Sequence, residues 1–397
     1  MNSGLLLFHA FTGTVLLLTG LNSLITLLIV RRLRPLLPKK DAPMVSILVP
    51  ARDEARQIVS CLNSLAAQNY PRFEVILLDD NSNDGTRALA EEMGFAAEGN
   101  RRVISGKQLP EGWTGKVWAC HQLAQAAAGD YLLFTDADTV HGPATLATAM
   151  KEAQRTRASL FSLWPRQITK SLGEKAVIPL LYLAGIGLMP HFILSAAQRF
   201  PAFAALLPRS FLRKQGVANG QFLLFRRADY FAIGGHAAVR HHLVEDVALG
   251  RQVAMRTAEG FRLINADGTL LLQCRMYENF AEVWSGFTKN CRAAFELSLG
   301  SFVGAGLLQV TVFLAPFGLL CVPGRQRWLA LAEVLGIYGL RLIYAARYRS
   351  SILGALLHPL GEIMALLIAL NSWRRSTGRG VEWKGRTYQV VHEAPAY

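Results

Sequence analysis

Charged residues are scarce in this 397-residue chain: 18% of the total, against 51% hydrophobic. Soluble domains carry roughly a quarter charged residues. The shortage excludes disorder and disfavours a purely soluble protein, and a mean hydropathy of +0.25 agrees. The middle of the chain is nevertheless rich in Asp, Arg and Glu, which argues against a wholly embedded protein. Cysteine is sparse too. Cys61, Cys120, Cys274, Cys291 and Cys321 are odd in number and irregularly spaced, with no Cys-x-x-Cys pair. That excludes a disulfide framework and a zinc site, and places the soluble part in a reducing compartment. Several motifs are missing outright. No Gly-x-Gly-x-x-Gly follows the first strand, and there is no Gly-x-x-x-x-Gly-Lys-Ser/Thr, Gly-x-Ser-x-Gly or His-Glu-x-x-His. Dehydrogenase, P-loop, hydrolase and zincin readings lose ground accordingly.

Acidic charge is the sign in short supply: 28 Asp and Glu against 42 Lys and Arg, a net charge of +14. Such a chain attracts polyanions. Its basic clusters flank hydrophobic runs: Arg31, Arg32, Arg34, Lys39 and Lys40, then Arg374, Arg375 and Arg379. This placement reads as contact with an anionic membrane leaflet. No nucleic-acid recognition signature accompanies it, so no nucleic-acid partner is expected.

The hydrophobic excess is concentrated. Residues 4–30 carry no charge, are long enough to cross a hydrocarbon core of about 30 Å, and are followed at once by arginines. That order is the reverse of a signal peptide and predicts an uncleaved anchor with the following chain cytoplasmic. Residues 297–322 are also uncharged. Residues 328–346 contain Glu333 and Arg341, and residues 352–373 contain His358 and Glu362. Three spans here plus the first would put the basic tail outside. A cytoplasmic tail, with one run not spanning, is therefore expected. Residues 176–197 are apolar but interrupted by Pro179 and Pro190. They read as lying on the membrane surface or as a loop packed against it, with a buried helix pair as the alternative.

From Met44 onward, short apolar runs alternate with amphipathic stretches. Strands are predicted at 44–49, 73–78, 102–104 and 131–135, and helices at 54–68, 85–93 and 115–128. This alternation predicts an α/β fold with a parallel sheet. Polar residues collect at the carboxyl ends of the strands, where open α/β sheets bind ligands. Pro50-Ala51-Arg52-Asp53-Glu54 after the first strand reads as a nucleotide wall. Asp79-Asp80-Asn81-Ser82-Asn83-Asp84 follows the second, with Asp80 assigned to nucleotide and Asp84 mainly to helix capping. Asp136-Ala137-Asp138 follows the fourth. Period-two alternation puts its carboxylates on one side, suited to Mg²⁺ or Mn²⁺ with open positions for phosphate. Glu245-Asp246 opens a helix predicted at 243–255. It reads either as local helix stabilisation or as a general base. Arg275 and Lys289 are placed to neutralise a leaving diphosphate.

Taken in order and spacing, Pro50 to Glu54, Asp79 to Gly85, Asp136-x-Asp138 and Glu245-Asp246 resemble family 2 glycosyltransferases of GT-A fold. Gly112-Trp113-Thr114-Gly115-Lys116, Gly234-Gly235-His236, Arg275-Met276-Tyr277 and the tail from Val381 to Tyr388 resemble carotenoid glycosyltransferases of the diaponeurosporenoate type and hopanoid-associated relatives. The resemblance implies a Rossmann-like mixed sheet with terminal transmembrane helices. It implies inverting hexose transfer from a nucleotide sugar, UDP-glucose first, onto a hydrophobic lipid such as a carotenoid. Arg52 and Asp80 would face the nucleoside, and Lys116 the diphosphate. Asp136 would meet ribose or metal and Asp138 the metal, with Asp246 as base and Glu245 its neighbour. The family usually has Asn where Asp53 stands. Gln273 to Tyr277 departs from the Gln-x-x-Arg-Trp of processive members, which argues against long-chain polysaccharide synthesis. A polyprenyl-phosphate sugar transferase and a degenerate membrane scaffold are the competing readings. The layout expected is an anchor over 1–40, a GT-A domain over 41–296, transmembrane helices over 297–373 and a basic tail over 374–397. The expected location is the cell membrane, multi-pass, with the catalytic domain in the cytoplasm.

Overall fold

The computed structural model describes residues 3–37, 42–96, 99–376, 381–383 and 386–388. The chain divides into two compact units, each assembled from separated stretches. One takes residues 1–29, 167–191 and 277–381, and the other takes 30–166, 192–276 and 382–397.

The second unit is built on a seven-stranded mixed sheet. β1 (Val45–Ala51), β2 (Phe73–Asp79), β3 (Arg101–Ser105) and β4 (Tyr131–Phe134) form its parallel part, in spatial order β3-β2-β1-β4. The sheet continues through Leu223–Arg226, antiparallel to β4, then Leu160–Trp164 and Leu263–Asp267. β1 reads Val-Ser-Ile-Leu-Val-Pro-Ala and is buried along almost its whole length, as a strand covered on both faces must be. Alternation sends Ile47 and Val49 to one core with Ile58, Leu62 and Leu65 of the helix Ile58–Ala66. Leu48 faces the other core, with Val117, Cys120 and Leu123 of the helix Gly115–Ala126. Pro50 cannot donate to a ladder. It sits past Leu48↔Phe134, the last register pair between β1 and β4, and so costs that pairing nothing. Gly129 is required where the chain enters β4, because a Cβ there would lie 2.6 Å from the Ser46 nitrogen.

Each predicted strand and helix of the parallel part is present, shifted by one to four residues at its ends. The basic cluster after the first helix has a further role. Arg32 donates to the buried Asp267 carboxylate at 2.8 Å, and Leu33 N–H donates to Asp267 O at 3.0 Å, so this arginine closes the sheet edge.

The first unit is helical. Four stretches in the described residues are long and apolar enough to cross a membrane: Ser3–Ile29, Leu172–Arg199, Leu299–Leu319 and Gln326–Tyr348. The run expected not to span is identified here, and one expectation changes. Residues 352–373 are not among the four, being divided into the helices Ile352–Leu356 and His358–Ser376 and carrying polar groups. Leu172–Arg199 is among them, although Pro190 separates its last helix, His191–Arg199, from the preceding turns. Strands Leu160–Trp164 and Leu223–Arg226 on either side of it are neighbours in one sheet. A single crossing between them is thereby excluded. Polar groups of the helical unit find partners within it. His9 Nδ1 lies 3.0 Å from Glu333 Oε1, Gln309 donates to Glu362 at 3.3 Å, and Arg341 donates to Gly354 O at 3.2 Å.

Candidate active site

The polar residues gather along the carboxyl edge formed by β1, β2 and β4. Where β1 ends, Arg52 donates to Asp80 O at 2.8 Å, and Asp80 N–H donates back to Ala51 O at 2.8 Å. Asp53 and Asn81 both adopt left-handed backbone, φ 52° and 57°, a conformation that Asn and Asp tolerate. Their loops are laced together. Asp53 N–H donates to Ser82 Oγ at 3.0 Å, Asn83 N–H to Asp53 Oδ1 at 2.9 Å, Glu54 N–H to Thr86 Oγ1 at 2.8 Å and Ala55 N–H to Asp84 Oδ2 at 2.9 Å. Burial pushes against ionisation of Asp84, but the bonds from Thr86 and Ala55 win and hold its carboxyl below the usual range. Asp84 therefore does more than cap a helix: it fixes the loop after β1 to the loop after β2.

After β4 the chain passes through Thr135, whose hydroxyl donates to Gln221 O at 2.8 Å, into Asp136-Ala137-Asp138. The next strand, Thr139–His141, pairs antiparallel with Leu272–Cys274, with Cys274 opposite Thr139. That register brings Arg275 to the site, and its N–H donates to Asp138 O at 3.2 Å. Gln57 reaches across from the β1 side to donate to Arg275 O at 3.1 Å. Burial, then the negative charges of Asp136 and Glu54, raise the Asp138 carboxyl to about 7. Its Oδ1 is buried without a hydrogen-bond partner. A buried carboxylate oxygen crowded by like charges and lacking a donor fits a divalent cation. No group of three or more His, Cys, Asp or Glu able to hold a metal occurs among the described residues.

Lys116, in the first turn of its helix, joins two motifs far apart in sequence. Its Nζ lies 2.6 Å from Asp136 Oδ1 and 2.7 Å from Glu245 Oε1. Desolvation works to lower the ammonium's pKa, but these two carboxylates raise it well above the usual lysine value. The lysine is held in place by backbone: Thr114 N–H donates to Arg240 O at 2.9 Å, just upstream of the helix Glu245–Met255.

Glu245 and Asp246 are adjacent, yet the site drives them apart. Burial opposes ionisation of Glu245, and Lys116 overrides it, so the Glu245 carboxyl sits below its normal range. Asp246 is raised to about 6 by burial and by Glu245. Its two oxygens accept from Gly220 N–H at 2.7 Å and Val247 N–H at 2.8 Å, which fixes its direction. Two carboxyls with separated pKa values are the arrangement that assigns acid–base roles.

Two contributors were missed by sequence reasoning. Asn219-Gly220-Gln221 carries no catalytic signature beyond a polar turn before a strand. Gly220 is nonetheless required, since a Cβ there would lie 3.0 Å from Asp246 Oδ2. Arg386 is the other: it donates through two nitrogens to Asp80, at 2.6 Å to Oδ2 and 3.2 Å to Oδ1.

Comparison with known proteins gives three results. Residues 46–228, from β1 to the strand Leu223–Arg226, match the sequence model described as Glycosyl transferase family 2. A Staphylococcus aureus (strain MRSA252) protein named 4,4'-diaponeurosporenoate glycosyltransferase is 27% identical over 360 residues, covering 88% of this chain and 89% of the relative. The structure of a Pyrobaculum calidifontis mannosyltransferase, PcManGT in complex with GDP-Man and Mn²⁺, is similar at a TM-score of 0.52 and 17% identity, over 92% of this chain and 97% of the other.

Proposed function

We propose that the chain, whose residues 46–228 match the model described as Glycosyl transferase family 2, is a glycosyltransferase that moves a hexose from a nucleotide sugar, UDP-glucose first, onto a membrane lipid with inversion at the anomeric carbon. The observation that carries this reading is the chain of ionic contacts Asp136–Lys116–Glu245 beside an Asp246 raised to about 6. It joins a donor-side acidic pair to an acceptor-side base along one sheet edge.

In this reading Pro50, Arg52, Glu54 and Asp80 bound the nucleoside. Asp136 and Asp138 would hold Mg²⁺ or Mn²⁺; bound there, the cation would supply positive charge to a departing diphosphate. Lys116 and Arg275 add positive charge on the same side. Asp246, ionised above about pH 6, accepts the proton of an acceptor hydroxyl as that oxygen bonds to the anomeric carbon and the bond to the nucleotide oxygen breaks. A carboxylic acid acceptor would attack already ionised and need no base. The tuned Asp246 therefore favours a hydroxyl-bearing lipid, a carotenoid or hopanoid alcohol, over an acid. The acceptor's apolar body and the four apolar stretches favour a multi-pass protein of the cell membrane with its sheet unit in the cytoplasm. The catalytic segment is set at 41–296 and the membrane segments at 297–373, with the apolar stretch Leu172–Arg199 lying inside the first of these limits.

The test is lipid mass spectrometry on cells with and without the gene. A hexose mass difference on carotenoids or hopanoids is expected. A difference confined to polyprenyl phosphates would replace this acceptor class with a phosphate one. With purified full-length protein, Asp138→Ala is expected to reduce transfer by at least about a hundredfold, the scale of losing one electrostatic stabiliser of a transition state. Normal turnover by a folded Asp138→Ala protein would remove the metal-holding role.

A further inference from the structure

The tail beyond the last helix is basic and reads, from sequence, as a membrane-facing extension. The structure puts one of its residues elsewhere. Two short strands, Val381–Trp383 and Arg386–Tyr388, pair with one another. From the second of them the Arg386 guanidinium meets the Asp80 carboxylate with both terminal nitrogens, at 2.6 Å and 3.2 Å. A two-point fork of this kind fixes orientation as well as charge.

Asp80 does not need Arg386 to hold its loop. Its backbone is pinned by the bond to Ala51 O, and the loop around it is laced by Asp53, Ser82, Asp84 and Thr86. Nor is Arg386 its only cation, because Arg52 Nη1 lies 3.8 Å from Asp80 Oδ2. What the tail adds is direction. Asp80 is 6% exposed, and a carboxylate has about four acceptor positions, of which a guanidinium fork takes two. The remaining positions are left in an orientation set by the fork.

The geometry points to Arg386 as a positioning residue of the donor site: it holds the Asp80 carboxylate so that its remaining lone pairs receive the N–H or O–H donors of a nucleoside. The C-terminal tail is then part of nucleotide recognition. This inference rests on the reading of Asp80 as a nucleoside contact and extends it to a residue of the tail Val381 to Tyr388, to which the resemblance gave no role.

The experiment uses full-length protein in detergent, with UDP as the probe for calorimetry and UDP-glucose for steady-state turnover. UDP binding by the unaltered protein tests the nucleotide site itself, and its absence there overturns that site and this role with it. Given binding, Arg386→Ala is expected to raise the UDP dissociation constant and the donor KM by about tenfold, the scale of a charged hydrogen bond. The kcat should fall by less than about twofold. Arg386→Lys keeps the charge and loses the fork, so it should fall between the two. In an Asp80→Ala background, Arg386→Ala should cost nothing further. Unchanged or tighter UDP binding in Arg386→Ala overturns the proposal, as does a further loss in the double variant. A fall confined to kcat does the same. A thermal midpoint within a few degrees of the unaltered protein separates these results from misfolding.

Discussion

Asp246 carries the clearest dependence on pH. As the proposed base, Asp246 works only when ionised, so the rate should rise with pH through about 6 and level off above it. Asp246→Asn should abolish that limb and slow transfer by about a hundredfold to ten-thousandfold. The same residue bears on stability. Its carboxyl is raised in the folded state from 3.8 to about 6, so the fold binds that proton more tightly than the unfolded chain does. Below the unfolded value both states are neutral and nothing is lost. As pH rises through this interval the unfolded chain gains by ionising first, and the fold loses stability until the group is ionised in both states. Asp246→Asn should therefore melt higher than the unaltered protein at pH 8, with the gap closing near pH 3.5. An equal gap at both pH values would place the effect elsewhere. Much at this scale was legible in sequence: Asp80, Asp136 and Asp138 stand at strand ends, where alternation alone aims them at one edge. The contact of Lys116 with both Asp136 and Glu245 was not legible, because it depends on how the helix Gly115–Ala126 lies against the start of the helix Glu245–Met255.

Among the elements, the stretch from Phe192 to Lys214 has two faces. Leu194, Ala197, Ala204 and Leu212 enter the core beneath the sheet, while Phe192, Phe200, Phe203, Leu206 and Phe211 are exposed. Arg199, Arg209, Arg213 and Lys214 lie among them. Exposed aromatics interleaved with basic residues suit the interface of an anionic bilayer. Phe203→Trp, in nanodiscs containing brominated anionic lipid, should show fluorescence quenched relative to unbrominated lipid. Equal intensity in the two would sink an interfacial position. The sequence predicted surface contact for 176–197 as a single patch, but could not see that the part before Phe192 belongs with the helical unit. Its apolar residues look alike on both sides of Pro190; only tertiary contacts distinguish them. The sheet's parallel strands were legible because their apolar runs are short, β-rich and closed by acidic turns. The strand Leu223–Arg226 was not, since its apolar run differs little from those of the neighbouring helices.

For the molecule as a whole, four apolar stretches and a net charge of +14 together call for a lipid environment with anionic headgroups. Cell membranes washed with alkaline carbonate should retain the protein in the pellet, and detergent should release it. Release by carbonate alone would remove the spanning helices from the account. The order of the chain did not foretell that each of the two units would be assembled from separated stretches. One topological detail has a consequence in polymer terms. The strands Leu160–Trp164 and Leu223–Arg226 are antiparallel neighbours, so the long excursion between them starts and finishes about 5 Å apart. The entropy of closing such a loop grows only with the logarithm of its length. Away from Leu194, Ala197, Ala204 and Leu212, which pack in the core, residues can be gained or lost in its exposed turns at little cost, whereas the loops after β1 and β2 are tied to each other by hydrogen bonds. Variation in length is thus cheaper in the exposed turns of the excursion than in the loops after β1 and β2, and under the proposed function a scaffold of this kind can change the lipid it serves while keeping its donor.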